Sequence, residues 1–164
     1  MASDLERRIQ LLEDRAAIQE LLHRYSWLLD GAKFEEVVGL FTEDAVADYG
    51  ALGVFRGPAE VRRFYCEMLP STFTDIRHYV HNSTVELDGD HAHGRAYFEL
   101  KTVTRARQAH DWAGLYHDEY VRAGGRWRFR ARKIDFDYCL PEGKTWAEKE
   151  RFQLDFASPG DAVA

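Results

Sequence analysis

The residues best suited to acid–base chemistry in this 164-residue chain are Asp30 and His78. Signatures of catalytic serines, phosphate-binding loops and dinucleotide-binding sites do not occur, and neither Cys66 nor Cys139 lies in a catalytic motif. Acid–base catalysis by a carboxylate and an imidazole is the chemistry that these residue types leave open.

Asp30 ends a long amphipathic segment, where the negative end of a helix dipole disfavours a carboxylate. We therefore expect a cationic or hydrogen-bonding partner, which an inward-facing His78 would supply. Such a pair makes the histidine a general base near neutral pH, with the aspartate fixing its tautomer. On spacing alone, however, a helix stop at Asp30-Gly31 and an isolated strand histidine at His78 are the favoured explanation.

Histidine spacing predicts no metal site. His91 and His93 share a strand face, but this spacing is typical of a solvated hairpin rim. His78 and His81 lie three residues apart, so they point to opposite faces of a strand. No third ligand stands at a usable spacing, and we expect neither a metal nor a cofactor.

The segments that must position Asp30 and His78 are helices followed by strands. Ser3 and Glu6 match a capping box, apolar residues then recur at helical spacing, and Asp30-Gly31 ends the helix, with the glycine expected in the left-handed conformation. Two shorter helices follow. The expected strands are 46–49, 76–87, 92–105, 110–122 and 126–138.

This order predicts an α+β fold, a cone-shaped barrel with three N-terminal helices packed on a strongly curved, mainly antiparallel sheet. We expect one domain over residues 1–164, with a core at about 5–138 and a C-terminal helix or lid over 144–156.

Strand alternation predicts which side chains share the face of His78. Val80 and Asn82 have the same parity, so Asn82 could bind a substrate oxygen. The apolar parity changes between Asn82 and Val85, which predicts a β-bulge there.

Composition excludes several classes of partner. The chain has 22 Lys+Arg against 28 Asp+Glu and a net charge of −6, which argues against nucleic acid. The basic residues of the last strand are interpreted as one solvated face: Arg126, Arg128, Arg130, Arg132 and Lys133. No apolar run approaches the roughly 20 residues of a membrane span, and the N-terminus has no signal-peptide core. Two cysteines fit a reducing cytoplasm.

Several motifs occur together along the chain. They are RAAIQELLHRY at 15–25, LDG at 29–31, LFTEDAV at 40–46, FRG at 55–57, RHYVHN at 77–82 and the hairpin from Tyr120 to Trp127. With them the chain resembles, over about residues 5–138, the SnoaL-like branch of the nuclear transport factor 2-like superfamily, which includes scytalone dehydratase, hexachlorocyclohexane dehydrochlorinase and bile-acid 7α-dehydratase. The resemblance implies a cone-shaped barrel with a His–Asp dyad in its cavity and elimination without a cofactor.

The resemblance also implies roles for individual residues. The dyad falls on Asp30 and His78, and two tyrosines that help the leaving group depart fall on Tyr25 and Tyr49. On the last strand, where some relatives place an arginine facing the substrate or the dyad, the best register puts Asp135. This departure implies a substrate of different polarity.

These roles imply a cofactor-independent lyase or dehydratase. His78, held by Asp30, would remove a proton from a small hydrophobic cyclic substrate, and a hydroxyl would leave as water. An isomerase or a polyketide-type cyclase would use the same dyad, because both reactions begin with proton abstraction.

A non-catalytic binding or assembly module is the alternative from another class. A closed apolar cavity reached by both side chains favours the enzyme, and a collapsed one favours the module. We expect a homodimer or homotrimer in the cytoplasm.

Overall fold

The structure, a computed structural model, describes residues 3–144 and Ala147. The helices are α1 (Asp4–Asp30), α2 (Phe34–Val38), a 3-10 turn (Gly50–Leu52), α3 (Gly57–Arg62), a π-helical segment (Arg63–Met68) and α4 (Leu69–Thr72). The strands are β1 (Phe41–Asp48), β2 (Val54–Arg56), β3 (Phe73–Asp88), β4 (His91–Thr104), β5 (Ala109–Ala123) and β6 (Arg126–Pro141). The helix or lid expected over 144–156 lies outside the described residues, apart from residues 144 and 147.

The six strands form one mixed sheet that does not close, in the order β2-β1-β6-β5-β4-β3. β3 to β6 are an antiparallel meander, as expected, and β2 pairs antiparallel with β1. β1 pairs with β6 in parallel, which links the N-terminal part of the chain to its last strand. Among the described helices, none is long and apolar enough to span a membrane.

Helix α1 begins and ends close to the predicted residues. Ser3 caps it through the expected capping box with Glu6. At the other end, Gly31 has φ −87°, and the residue with positive φ is Ala32 at 53°. The expectation of a left-handed glycine is therefore wrong by one residue, while the helix still ends at Asp30 and directs this side chain toward β3.

A bulge in β6 reverses the alternation of its side chains. Phe129 and Ala131 pair with consecutive residues of β5, which leaves Arg130 as an extra residue. Trp127 and Phe129 are buried before the bulge, and Arg132 is buried after it. The interpretation of Arg132 as part of a solvated face is wrong, because the extra residue turns it inward.

A second bulge lies in β3, between Val80 and Ser83. It comes earlier than the predicted position between Asn82 and Val85. The side chain of Asn82 is exposed as a result, and Asn82 does not share the inward face of His78.

Candidate active site

The Asp30 carboxylate is hydrogen-bonded to His78 in the way the sequence predicts. Its Oδ1 lies 2.7 Å from His78 Nδ1, and the His78 backbone N–H donates to both carboxylate oxygens at 3.0 Å. Arg77 Nη1 donates to the Asp30 backbone carbonyl at 3.3 Å, so positive charge lies beside the negative end of the helix dipole. The carboxylate is thus fixed from the strand that carries the histidine.

This contact gives the two ring nitrogens of His78 different roles. Because Nδ1 faces the carboxylate, Nε2 is the nitrogen left to act on a substrate. The His78 side chain is 5% exposed and lines an internal cavity. Asp30 is not among the described residues that line it, so the aspartate reaches the cavity only through His78.

The cavity lies between the helices and the inner face of the sheet. Its volume is about 50 Å³, and its described lining is aromatic and aliphatic apart from His78, Thr102 and the tyrosine hydroxyls. The Thr102 hydroxyl already accepts a hydrogen bond from Trp112 Nε1 at 2.9 Å. A cavity that binds benzene measures about 150 Å³. A cyclic substrate therefore requires a displacement of the wall.

Three buried tyrosine hydroxyls form a chain in this cavity wall. Tyr25 and Tyr65 are joined at 3.1 Å between their hydroxyl oxygens, and Tyr65 is also hydrogen-bonded to Tyr49. Burial raises the pKa of Tyr49 and of Tyr65 well above the ordinary value, so both are neutral hydroxyl groups at physiological pH. Tyr25 and Tyr49 were expected here, whereas Tyr65 was not.

The sequence holds only a weak signal for Tyr65. Phe64 and Tyr65 are consecutive and both buried, and they belong to the π-helical segment between α3 and α4. A single π-helical turn widens the helix locally and recurs at functional sites. Apolar spacing alone describes Tyr65 as an ordinary core residue.

Arg132 is a further site residue that sequence reasoning missed. Its guanidinium carbon lies 4.1 Å from the ring centroids of both Tyr25 and Tyr116, and Nε and Nη2 each donate to Asp118 at 2.7 Å. Nη1 has no hydrogen-bond partner among the described residues. Burial by itself lowers the pKa of Arg132, but the Asp118 carboxylate outweighs burial and holds it well above its usual value. A permanent positive charge thus lies directly behind the Tyr25 ring.

Asp135 lies outside the site. Its side chain is 51% exposed and pairs with Lys133 at 2.8 Å and His117 at 2.9 Å on the outer face of the sheet. The hydrogen bond from Lys133 lowers the pKa of Asp135. The bulge at Arg130 explains the difference, because it places Arg132, and not Asp135, at the inward position of the last strand.

Metal-ligating side chains do not gather at this site. Within residues 3–144 and Ala147, no group of three or more His, Cys, Asp and Glu side chains could hold a metal ion.

Comparisons with known proteins give both a family and a fold. The family model of the SnoaL-like domain matches residues 10–133. An uncharacterized protein of Mycobacterium tuberculosis is 33% identical over 123 residues, which are 74% of this chain and 84% of that protein. The gamma-hexachlorocyclohexane dehydrochlorinase of Sphingobium indicum is 27% identical over 141 residues, 85% of this chain and 88% of the enzyme. The crystal structure of LinA superposes with a TM-score of 0.78 at 24% identity, over 84% of this chain and 95% of that one. This likeness confirms the expected α+β fold.

Proposed function

Because this chain belongs to the family of SnoaL-like domains, we propose that it is a cofactor-independent lyase whose base is His78, held by Asp30. The observation that carries the proposal is the 2.7 Å contact between Asp30 Oδ1 and His78 Nδ1, at the wall of a buried apolar cavity. The relative from Sphingobium indicum, named a dehydrochlorinase, supports elimination as the type of reaction.

In the proposed reaction, His78 Nε2 takes a proton from a carbon beside an activating group. Asp30 stabilises the imidazolium that forms, and a positioned base of this kind contributes about 10²–10⁴-fold to the rate. The electron pair of the broken C–H bond forms a C=C bond, and the hydroxyl on the next carbon leaves. Tyr25 or Tyr49 gives this hydroxyl a proton, so it departs as water.

Arg132 supports this step from behind the cavity wall. The guanidinium lies 4.1 Å from the Tyr25 ring centroid, where the cation–π contact holds the ring in position. Asp118 holds the guanidinium in place through two hydrogen bonds.

The lining points to an uncharged substrate. Among the described lining residues, only His78 can carry a charge near neutral pH, and most of the wall is hydrocarbon. A charged ligand would have to give up its hydration here without a partner. We infer a small cyclic molecule with a carbonyl to activate the proton and a hydroxyl to leave.

An isomerase or a cyclase would use the same first step, and the product of the reaction separates them from a lyase. The non-catalytic alternative, a binding or assembly module, is favoured by one observation, the cavity of only about 50 Å³. A homodimer or homotrimer and a cytoplasmic location remain part of the proposal.

The test is a screen of hydroxylated cyclic ketones, in which release of water is followed through the ultraviolet absorbance of the conjugated product. His78→Ala should abolish turnover and leave the circular dichroism spectrum unchanged. His81→Ala is the matched control, because His81 lies on the same strand with its side chain 46% exposed. Full activity of His78→Ala would exclude the mechanism, and no turnover of any substrate would favour the module.

A further inference from the structure

We propose that Tyr65 is a positioning residue. Its hydroxyl joins those of Tyr25 and Tyr49 into one hydrogen-bonded chain of hydroxyl groups, so that a single proton is available to the leaving group at one end of this hydroxyl chain. The inference rests on the proposed elimination, and it adds which residue determines the tyrosine that donates the proton to the leaving hydroxyl.

The geometry places the Tyr65 hydroxyl between the other two. Its oxygen lies 3.1 Å from that of Tyr25 and is hydrogen-bonded to that of Tyr49. The Tyr65 ring also packs edge-on against both neighbours, at 81° to Tyr25 and 70° to Tyr49. All three side chains are buried, and Tyr65 has no exposed surface.

Counting protons shows why the middle position matters. Each tyrosine hydroxyl has one proton to donate, so three hydroxyls joined by two hydrogen bonds leave one proton for a group outside the chain. When Tyr25 donates to Tyr65 and Tyr65 donates to Tyr49, the proton of Tyr49 is the one that is left. When the direction reverses, it is that of Tyr25. The orientation of one hydroxyl, Tyr65, therefore decides which tyrosine is the acid.

The same chain can restore every group after a turnover. Tyr49 gives its proton to the leaving hydroxyl and regains one from Tyr65, which regains one from Tyr25. The Tyr25 ring meets His78 edge-on at 5.9 Å between centroids, so the first of the three tyrosines packs against the base that took the substrate proton. His78 then loses that proton and Tyr25 gains one, which balances the protons over the turnover. The substrate has lost one water and all four side chains have regained their protonation states. The relay reverses both hydrogen bonds, so the hydroxyls must rotate before Tyr49 can act again.

The variant that tests this is Tyr65→Phe, which removes one oxygen and keeps the ring contacts with Phe41 and Phe64. Tyr79→Phe is the control, because Tyr79 is 49% exposed. We expect kcat of Tyr65→Phe to fall about 10- to 100-fold with KM within about twofold, the pattern of an interaction made only in the transition state. Assays are made well below the Tm of each variant.

The kcat and KM values together separate this role from a structural one. A general loosening of the cavity would raise KM, whereas loss of a positioned hydroxyl should lower kcat alone. The circular dichroism spectrum of Tyr65→Phe should match those of wild type and Tyr79→Phe.

The possible outcomes are distinct. If His78→Ala keeps its activity, the proposed function fails whatever Tyr65 does. If His78→Ala is inactive while Tyr65→Phe matches wild type in kcat, only the role of Tyr65 is overturned. A fall in kcat of Tyr65→Phe that comes with a comparable rise in KM overturns it as well.

Discussion

Arg132 and Asp118 meet through two hydrogen bonds of 2.7 Å, and neither side chain has any exposed surface. The guanidinium is also packed against the aromatic rings of Tyr25, Tyr116 and Phe129. A buried pair of this kind adds little net stability compared with an apolar pair of the same shape. What it does add is a charge held in one place, next to the cavity wall.

Removing one partner of this buried ion pair should lower the stability of the protein strongly. Arg132→Met leaves the buried Asp118 carboxylate without a cation, with the Tyr120 hydroxyl still donating to it at 2.8 Å, and we expect the free energy of unfolding to fall by about 3–5 kcal/mol. Arg130→Met is the control, because Arg130 is 49% exposed and its ion pairs contribute at most about 1 kcal/mol. Urea denaturation measures both values. Equal losses in the two variants would contradict the importance of the buried pair.

The dyad should behave as one unit. Asp30→Asn keeps the shape of the side chain but holds the imidazole in the wrong tautomer, so kcat should fall by orders of magnitude while ligand binding persists. The comparable change in the catalytic triad of serine proteases lowers kcat by about 10⁴-fold. The double variant Asp30→Asn/His78→Ala should be little worse than His78→Ala alone. Steady-state kinetics test this, with Asp111→Asn as the exposed control.

Additive losses in the double variant would mean that the two residues act separately. Treatment with a chelator should leave the activity unchanged, and loss of activity to the chelator would move the chemistry away from the dyad.

The buried tyrosines should limit stability at high pH. Burial raises the pKa of Tyr49, Tyr65, Tyr116 and Tyr120 well above the ordinary value of about 10. The stability that they contribute is therefore complete below about pH 10 and declines as the pH rises, because the unfolded chain ionises first. Tyrosinate absorbance and circular dichroism, recorded together, should show these four groups ionising only as the protein unfolds. Their ionisation in a folded protein would contradict this.

Gly114 should be intolerant of any side chain. A Cβ there would lie 2.4 Å from the Asp135 backbone oxygen and 3.0 Å from the Phe98 ring, and a backbone atom in a sheet cannot move aside. We expect Gly114→Ala to cost about 3 kcal/mol, at the upper end of overpacking. In Gly89→Ala, where no atom lies within 4 Å, only the positive φ of 59° is unfavourable, and the cost should be about 1 kcal/mol. Thermal unfolding of the two variants measures the difference.

The sequence predicts those parts of the fold and site that depend on local patterns. A capping box and helical spacing locate α1, and alternation locates the strands of the meander within a few residues. The pairing of Asp30 with His78 came from the resemblance to the SnoaL-like family, because local spacing alone favours a helix stop and an isolated strand histidine.

The parts that could not be predicted depend on bulges. One extra residue at Arg130 turns Arg132 inward and Asp135 outward, and no local signal in this basic stretch marks the extra residue. The bulge after Val80 removes Asn82 from the face of His78 for the same reason. Tyr65 was not predicted as a site residue because its helical spacing is the same as that of an ordinary core residue.

The parallel pairing of β1 with β6 bears on the order in which the molecule folds. β3, β4 and β5 each pair with the next strand along the chain, so their loops close at little entropic cost. β1 pairs Val46 with Ala131, so it must wait until β6 is in place. Tyr49 follows β1, and we expect the cavity to be completed late in folding. Pulse-labelled hydrogen exchange should find the amides of β1 protected after those of β5. During synthesis, β1 can therefore pair with β2 early, but its other edge has no partner strand until the last strand of the sheet has been made.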